Sequence, residues 1–100
     1  MNNLSIREKK IIIAILIEIM DADGVVHPNE TAYLDSVIKT FGLDLNDLDC
    51  IDEWDYTLVK HEFKSFADDK KQSAINMFLE MAKCDGYADP RELEIIESLG

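Results

Sequence analysis

Residues that break regular structure are scarce in this chain. Two prolines and four glycines in 100 residues are too few for the many turns of a sandwich or barrel, so long helices are expected. Cysteine is scarce too. Cys50 and Cys84 form no C-x-x-C pair. With no secretory signal beside them, reduced thiols in a cytoplasm are expected, a disulfide being the alternative. Positive charge is short: 10 Lys and Arg against 21 Asp and Glu give a net charge of -11. Such a surface repels the phosphates of nucleic acid and the head groups of an anionic membrane. It suits cations or a basic protein surface. Long apolar runs are missing as well. Ile11–Ile17 follows Arg7, Lys9 and Lys10 as a signal peptide's core would, but Glu18 breaks it. Its length is far below the roughly 20 residues of a membrane span. The residues from Glu18 to Asp23 offer no small-residue cleavage site. A helix buried on nearly all sides is the better reading.

What is present suits one small domain, residues 1–100, with 47% hydrophobic residues. Ser5 with Glu8 has the spacing of a capping box, so a helix is expected over about 6–22. Gly24 ends it, and Pro28 opens a second helix over 28–41, closed by Gly42. Asp44 is placed to cap a short helix over 45–52. Further helices are expected over 56–67, from Asp68 or Asp69 to about 84, and from Pro90 onward. The fold class is therefore all-α, a single bundle of about six helices. Six acids and no base lie between Asp44 and Asp55, which suits a solvated face or a docking strip for a basic partner. Trp54 reads as a core anchor under that strip.

The chain repeats itself at an offset of 62. Asp23-Gly24-Val25-Val26-His27-Pro28-Asn29-Glu30 aligns with Asp85-Gly86-Tyr87-Ala88-Asp89-Pro90-Arg91-Glu92, both D-G-x-x-x-P-x-E. Glu18 aligns with Glu80, Leu16 with Phe78, Ile19 with Met81 and Leu34 with Ile96. Two helix–turn–helix units follow, about 6–41 and 69–100, with pseudo-twofold symmetry and their first helices packed at the centre.

A tight interhelical turn accounts for Gly24, Gly86, Pro28, Pro90, Glu30 and Glu92. It does not account for Asp23 and Asp85, which stand at negative helix ends and are unfavourable there by about 0.3–1 kcal/mol each. The first copy adds Asp21, with Glu18 one turn earlier. A compensating cation is one remedy; in the second copy Lys83 can pair with Glu80. A complete calcium loop does not fit, because Ile19 and Met81 fall where the leading ligand belongs. A partly hydrated oxygen site for calcium or magnesium remains, stronger in the first copy. Zinc lacks any recognisable ligand spacing.

Ala22-Asp23-Gly24-Val25-Val26 with Glu30 and then Phe41-Gly42-Leu43, repeated as Ala82-Lys83-Cys84-Asp85-Gly86 with Glu92 and Ile95-Ile96, resembles the tellurite-resistance TerB-like domain. The resemblance covers about residues 8–100. It implies a cytoplasmic helical bundle, a link to tellurite or general stress, and no established catalytic activity. It also implies cation sites at Asp23, Glu30, Asp85 and Glu92, with Asp21 and Glu18 as neighbours. Cys84 and Lys83 depart from the family pattern, which weakens the second site. The last helix is short for the family, leaving Ile95, Ile96 and Leu99 as a strip for a weak homodimer or another partner.

Catalysis is not indicated. No nucleophile triad order, phosphate-cradling glycine loop or H-E-x-x-H occurs. His61 sits in a polar stretch, His27 reads as a loop residue, and Asp85 would disfavour a Cys84 thiolate. A cation-binding, stress-associated module and a metal-free module docking a basic protein are the two functions left open.

Overall fold

The computed structural model describes residues 4–22, 28–44, 46–48, 51–83 and 90–99, with the backbone alone for Asp52. Five α-helices follow in order: α1 (Ile6–Asp21), α2 (Pro28–Phe41), α3 (Tyr56–Lys64), α4 (Asp68–Lys83) and α5 (Pro90–Leu99). No strand occurs among the described residues. The first helix contains Ile11-Ile12-Ile13, a β-branched run with poor intrinsic helix propensity. Two things outweigh that. The Ser5 hydroxyl accepts from the Glu8 amide and the Glu8 carboxylate accepts from the Ser5 amide, a complete capping box. Beyond the cap, Ile11, Ile12, Ile13, Ile15, Leu16 and Ile19 are wholly buried, and burying each such side chain stabilises by about 1.5–3 kcal/mol. That density of burial is open only to a central helix. Accordingly, α1 packs against α2, α3, α4 and α5.

Phe63 of α3 and Phe78 of α4 meet in that core at a ring separation of 5.6 Å, with Phe66 5.1 Å from Phe63. Of the residues expected inside, Ile13, Leu16, Leu34, Val37, Phe63, Phe78 and Met81 are buried, while Ile17, Met20 and Leu79 pack partly exposed against the core. The radius of gyration, 12.5 Å, is close to the about 13 Å typical of a folded 100-residue domain.

The repeat is visible in the element bounds. Adding 62 to the bounds of α1, residues 6–21, gives 68–83, those of α4; adding it to Pro28 gives Pro90, the start of α5. Pro28 and Pro90 both take the first helical position, where the missing N–H costs nothing. The first helices of the two units pack together, as the pseudo-twofold arrangement requires.

Two expectations change. The helix expected over 45–52 is instead a turn at 46–48 and a 3-10 turn at Ile51–Glu53. Asp44 and Asp47 each accept the other's backbone N–H at 3.0 Å. These reciprocal bonds stabilise a single turn. The second change concerns the last helix. Leu99 is wholly buried, Ile96 is buried and Ile95 packs against the core. Because α5 packs on α1, α3 and α4, Ile96 and Leu99 are covered within the chain and Ile95 is partly covered.

Gly42 closes α2. Its φ is +71°, and the amides of Gly42 and Leu43 donate to the carbonyls of Lys39 and Ile38 at 3.1 Å. This is the paired-bond Schellman ending. Lys9 adds its ammonium to the Phe41 carbonyl at 3.0 Å, a positive charge at the negative helix end.

Candidate functional site

The two motif glutamates hold equivalent places. Glu30 and Glu92 are each the third residue of their helix, and their relative exposures are 1% and 2%. Glu8 holds the same position in α1 as a capping-box glutamate, yet its side chain keeps 21% exposure. Burial is therefore a property of the motif rather than of the helical position. The positive helix end favours a carboxylate by about 0.3–1 kcal/mol. Taking an ionised carboxylate out of water costs several kcal/mol, so the dipole alone cannot hold either glutamate. Neither is without an interaction partner in the fold.

The remaining residues of the proposed cation sites fall differently. Glu18 and Asp21 are exposed on the last turns of α1, where solvent relieves part of their repulsion with the helix end. Asp23, Asp85, His27 and Cys84 lie outside the described residues, as does Cys50, so neither the turn aspartates nor a Cys50–Cys84 disulfide can be placed. Among the described residues, no three His, Cys, Asp or Glu side chains gather as a metal cage. Glu18, Asp21 and Glu30 thus do not make a site by themselves, and a cation there would need the turn aspartate. The donor chemistry, carboxylate oxygens throughout, fits a hard cation. Glu80, the counterpart of Glu18, accepts from the Tyr33 hydroxyl at 2.8 Å, whereas the sequence offered it Lys83.

Glu18 has a second setting. With Ala14, Ile51, Trp54, Tyr56 and Val59 it lines a cavity of about 30 Å³. The Tyr56 hydroxyl is buried and has no hydrogen-bond partner among the described residues. Burial pushes its pKa up, and the Glu18 carboxylate pushes in the same direction.

A further site joins the start of α1 to α3 and the turn before it. The Arg7 guanidinium lies 4.7 Å from the centre of the Trp54 ring. It also grips Glu62 with two donors, Nη2 to Oε2 at 2.7 Å and Nε to Oε1 at 3.3 Å. These three residues line a groove of about 160 Å³ with Asp55, Leu58 and Val59. Leu58 is 63% exposed. Asp55 caps α3, accepting from the Thr57 amide at 2.8 Å. Trp54 thus packs against the core, as its sequence context suggests, and also stacks a cation. The Arg7 and Glu62 side chains are 60% and 40% exposed. An exposed ion pair of that kind contributes about 0.2–1 kcal/mol, and an exposed cation–π contact about 0.5–1 kcal/mol. No sequence signal marks this trio, because Arg7 and Glu62 are 55 positions apart and no local spacing rule reaches that far.

No helix of the described chain is long and apolar enough to cross a membrane. A search of curated proteins and one of solved structures each return no match. The family model described as tellurite resistance protein TerB matches residues 11–100, and the chain belongs to that family.

Proposed function

We propose that this TerB domain acts by binding rather than by catalysis, in a cytoplasmic response to tellurite or related chemical stress, and that its repeated acidic turns take a divalent cation. Calcium or magnesium is the class of ion that carboxylate oxygens favour. In the first turn Asp23 and Glu30 are the ligands, with Asp21 and Glu18 adding negative field. Asp85 and Glu92 form the second, weaker site, where Lys83 lowers the local negative charge. The observation that supports this reading is the burial of Glu30 and Glu92 at equivalent positions, each the third residue of the helix that follows its acidic turn. A carboxylate withdrawn from water strengthens the local negative field, and a cation shared with the turn aspartate would add to the interactions each glutamate already has.

Thermal unfolding of chelator-treated protein tests the proposal. Calcium, magnesium or manganese at fixed ionic strength raises the melting temperature if the turns bind the ion. At one hundred times the dissociation constant the gain is about 2.7 kcal/mol. Asp23→Asn removes most of that gain and Asp85→Asn removes much less. An unchanged melting temperature with all three ions at millimolar levels rejects the cation site and leaves the acids to a docking surface.

A further inference from the structure

We infer that the Trp54 groove is a receptor for an arginine-bearing basic segment of another protein, and that Arg7 occupies it as an internal stand-in. The site's chemistry is displayed by its present occupant. Trp54 offers a flat aromatic face at cation–π distance, and Glu62 offers two oxygens to a planar guanidinium. Arginine satisfies both at once; a lysine ammonium lacks the planar fork. The hold on Arg7 is weak and solvent-exposed, so it exchanges readily. Beside the guanidinium seat, Leu58 presents an exposed apolar side chain that an incoming chain can cover.

Charge selects the same class of partner. Asp55 lies on the groove itself, Glu53 is exposed on the preceding turn, and the chain as a whole carries -11. A basic segment is drawn to such a surface and an acidic one is turned away. When the partner's guanidinium takes the Trp54 face, Arg7 is released to solvent. The groove involves no residue of the acidic turns, so this inference stands or falls apart from the cation proposal.

Trp54 is the sole tryptophan, so its fluorescence reports on the groove directly. The probe is a short peptide of alternating Arg and Leu, compared with its Lys-for-Arg counterpart in chelator-containing buffer. The Arg peptide should change Trp54 emission saturably and bind several-fold more tightly than the Lys peptide. Arg7→Ala, which vacates the seat, should bind it about threefold more tightly. Glu62→Gln and Leu58→Ser should each bind it more weakly. Leu58→Ser also serves as a variant at an exposed position that leaves the core intact, and circular dichroism checks the fold of all three. Equal binding of the two peptides, no change in Trp54 emission, or weaker binding by folded Arg7→Ala overturns the proposal.

Discussion

Glu8 and Lys70 meet across the molecule, with the Lys70 ammonium 3.2 Å from both oxygens of the Glu8 carboxylate. They are 62 positions apart, the offset of the internal repeat, and so occupy the same place in α1 and α4. Equivalent positions can touch only near the axis that relates them. In a pseudo-twofold arrangement of the two units, the ion pair would lie where the axis passes between α1 and α4. It also shows how the copies have diverged: a twofold contact between identical charges would repel, and here one copy carries an acid and the other a base.

Glu8 has two duties at that contact, as capping-box acceptor and as partner of Lys70. The Ser5 backbone N–H is the chief cause of its lowered pKa, with Lys70 contributing. A lowered carboxyl pKa stabilises the fold above the unfolded-state value, and the benefit is lost as pH falls through the folded value. Glu8→Gln should therefore cost about 0.5–2 kcal/mol at neutral pH. The difference from the parent protein should shrink as pH falls below about 4.5, the ordinary carboxyl value. Urea unfolding at neutral and acid pH measures both; a pH-independent difference would contradict the electrostatic account.

Gly42 tests backbone geometry without steric confusion. Its φ of +71° suits glycine, and a Cβ there would meet nothing within 4 Å. Gly42→Ala should thus destabilise by about 1 kcal/mol through backbone strain alone. Gly42→Asn should cost less, because asparagine tolerates the left-handed region better. Denaturant midpoints of the two variants decide, and equal midpoints with the parent would refute the strain.

Tyr56 carries a buried hydroxyl with no hydrogen-bond partner among the described residues, beside Glu18. Tyr56→Phe removes the unsatisfied group while keeping the ring, so stability at neutral pH should hold or rise. Alkaline behaviour gives an independent reading. A raised phenol pKa means the folded state keeps its proton longer than the unfolded one. The stability this supplies is whole below pH 10 and is lost as pH rises through the folded value. The Phe variant should lose less stability than the parent over that range. A marked loss of stability at pH 7 would show instead that the hydroxyl is satisfied by an ordered water in the adjoining cavity.

Much of the fold is legible in local pattern. The start of α1 follows from Ser5 and Glu8, its central place from the run Ile11–Ile17, and the end of α2 from Gly42. The repeat is legible because D-G-x-x-x-P-x-E recurs with its flanking apolar positions. The region after Asp44 reads less well. Leu48 and Ile51 have helical spacing, but spacing cannot weigh one closed turn against continued propagation, and the reciprocal Asp44–Asp47 bonds stabilise the turn. Among the candidate ligands, sequence shows which acids recur but not which are withdrawn from water. Glu30 and Glu92 are buried while Glu18 and Asp21 are exposed.

By itself the sequence determined the helical class, the twofold repetition, the family and the acidic character, because each resides in residue type and near-neighbour spacing. Tertiary structure decided what depends on segments far apart in the chain. It covered Ile96 and Leu99 by laying α5 across three helices, paired Glu8 of α1 with Lys70 of α4, and set Arg7 between Trp54 and Glu62. The physical reason is common to all three. Burial and charge pairing depend on distance in space, and only packing around the central α1 brings these positions within reach of one another.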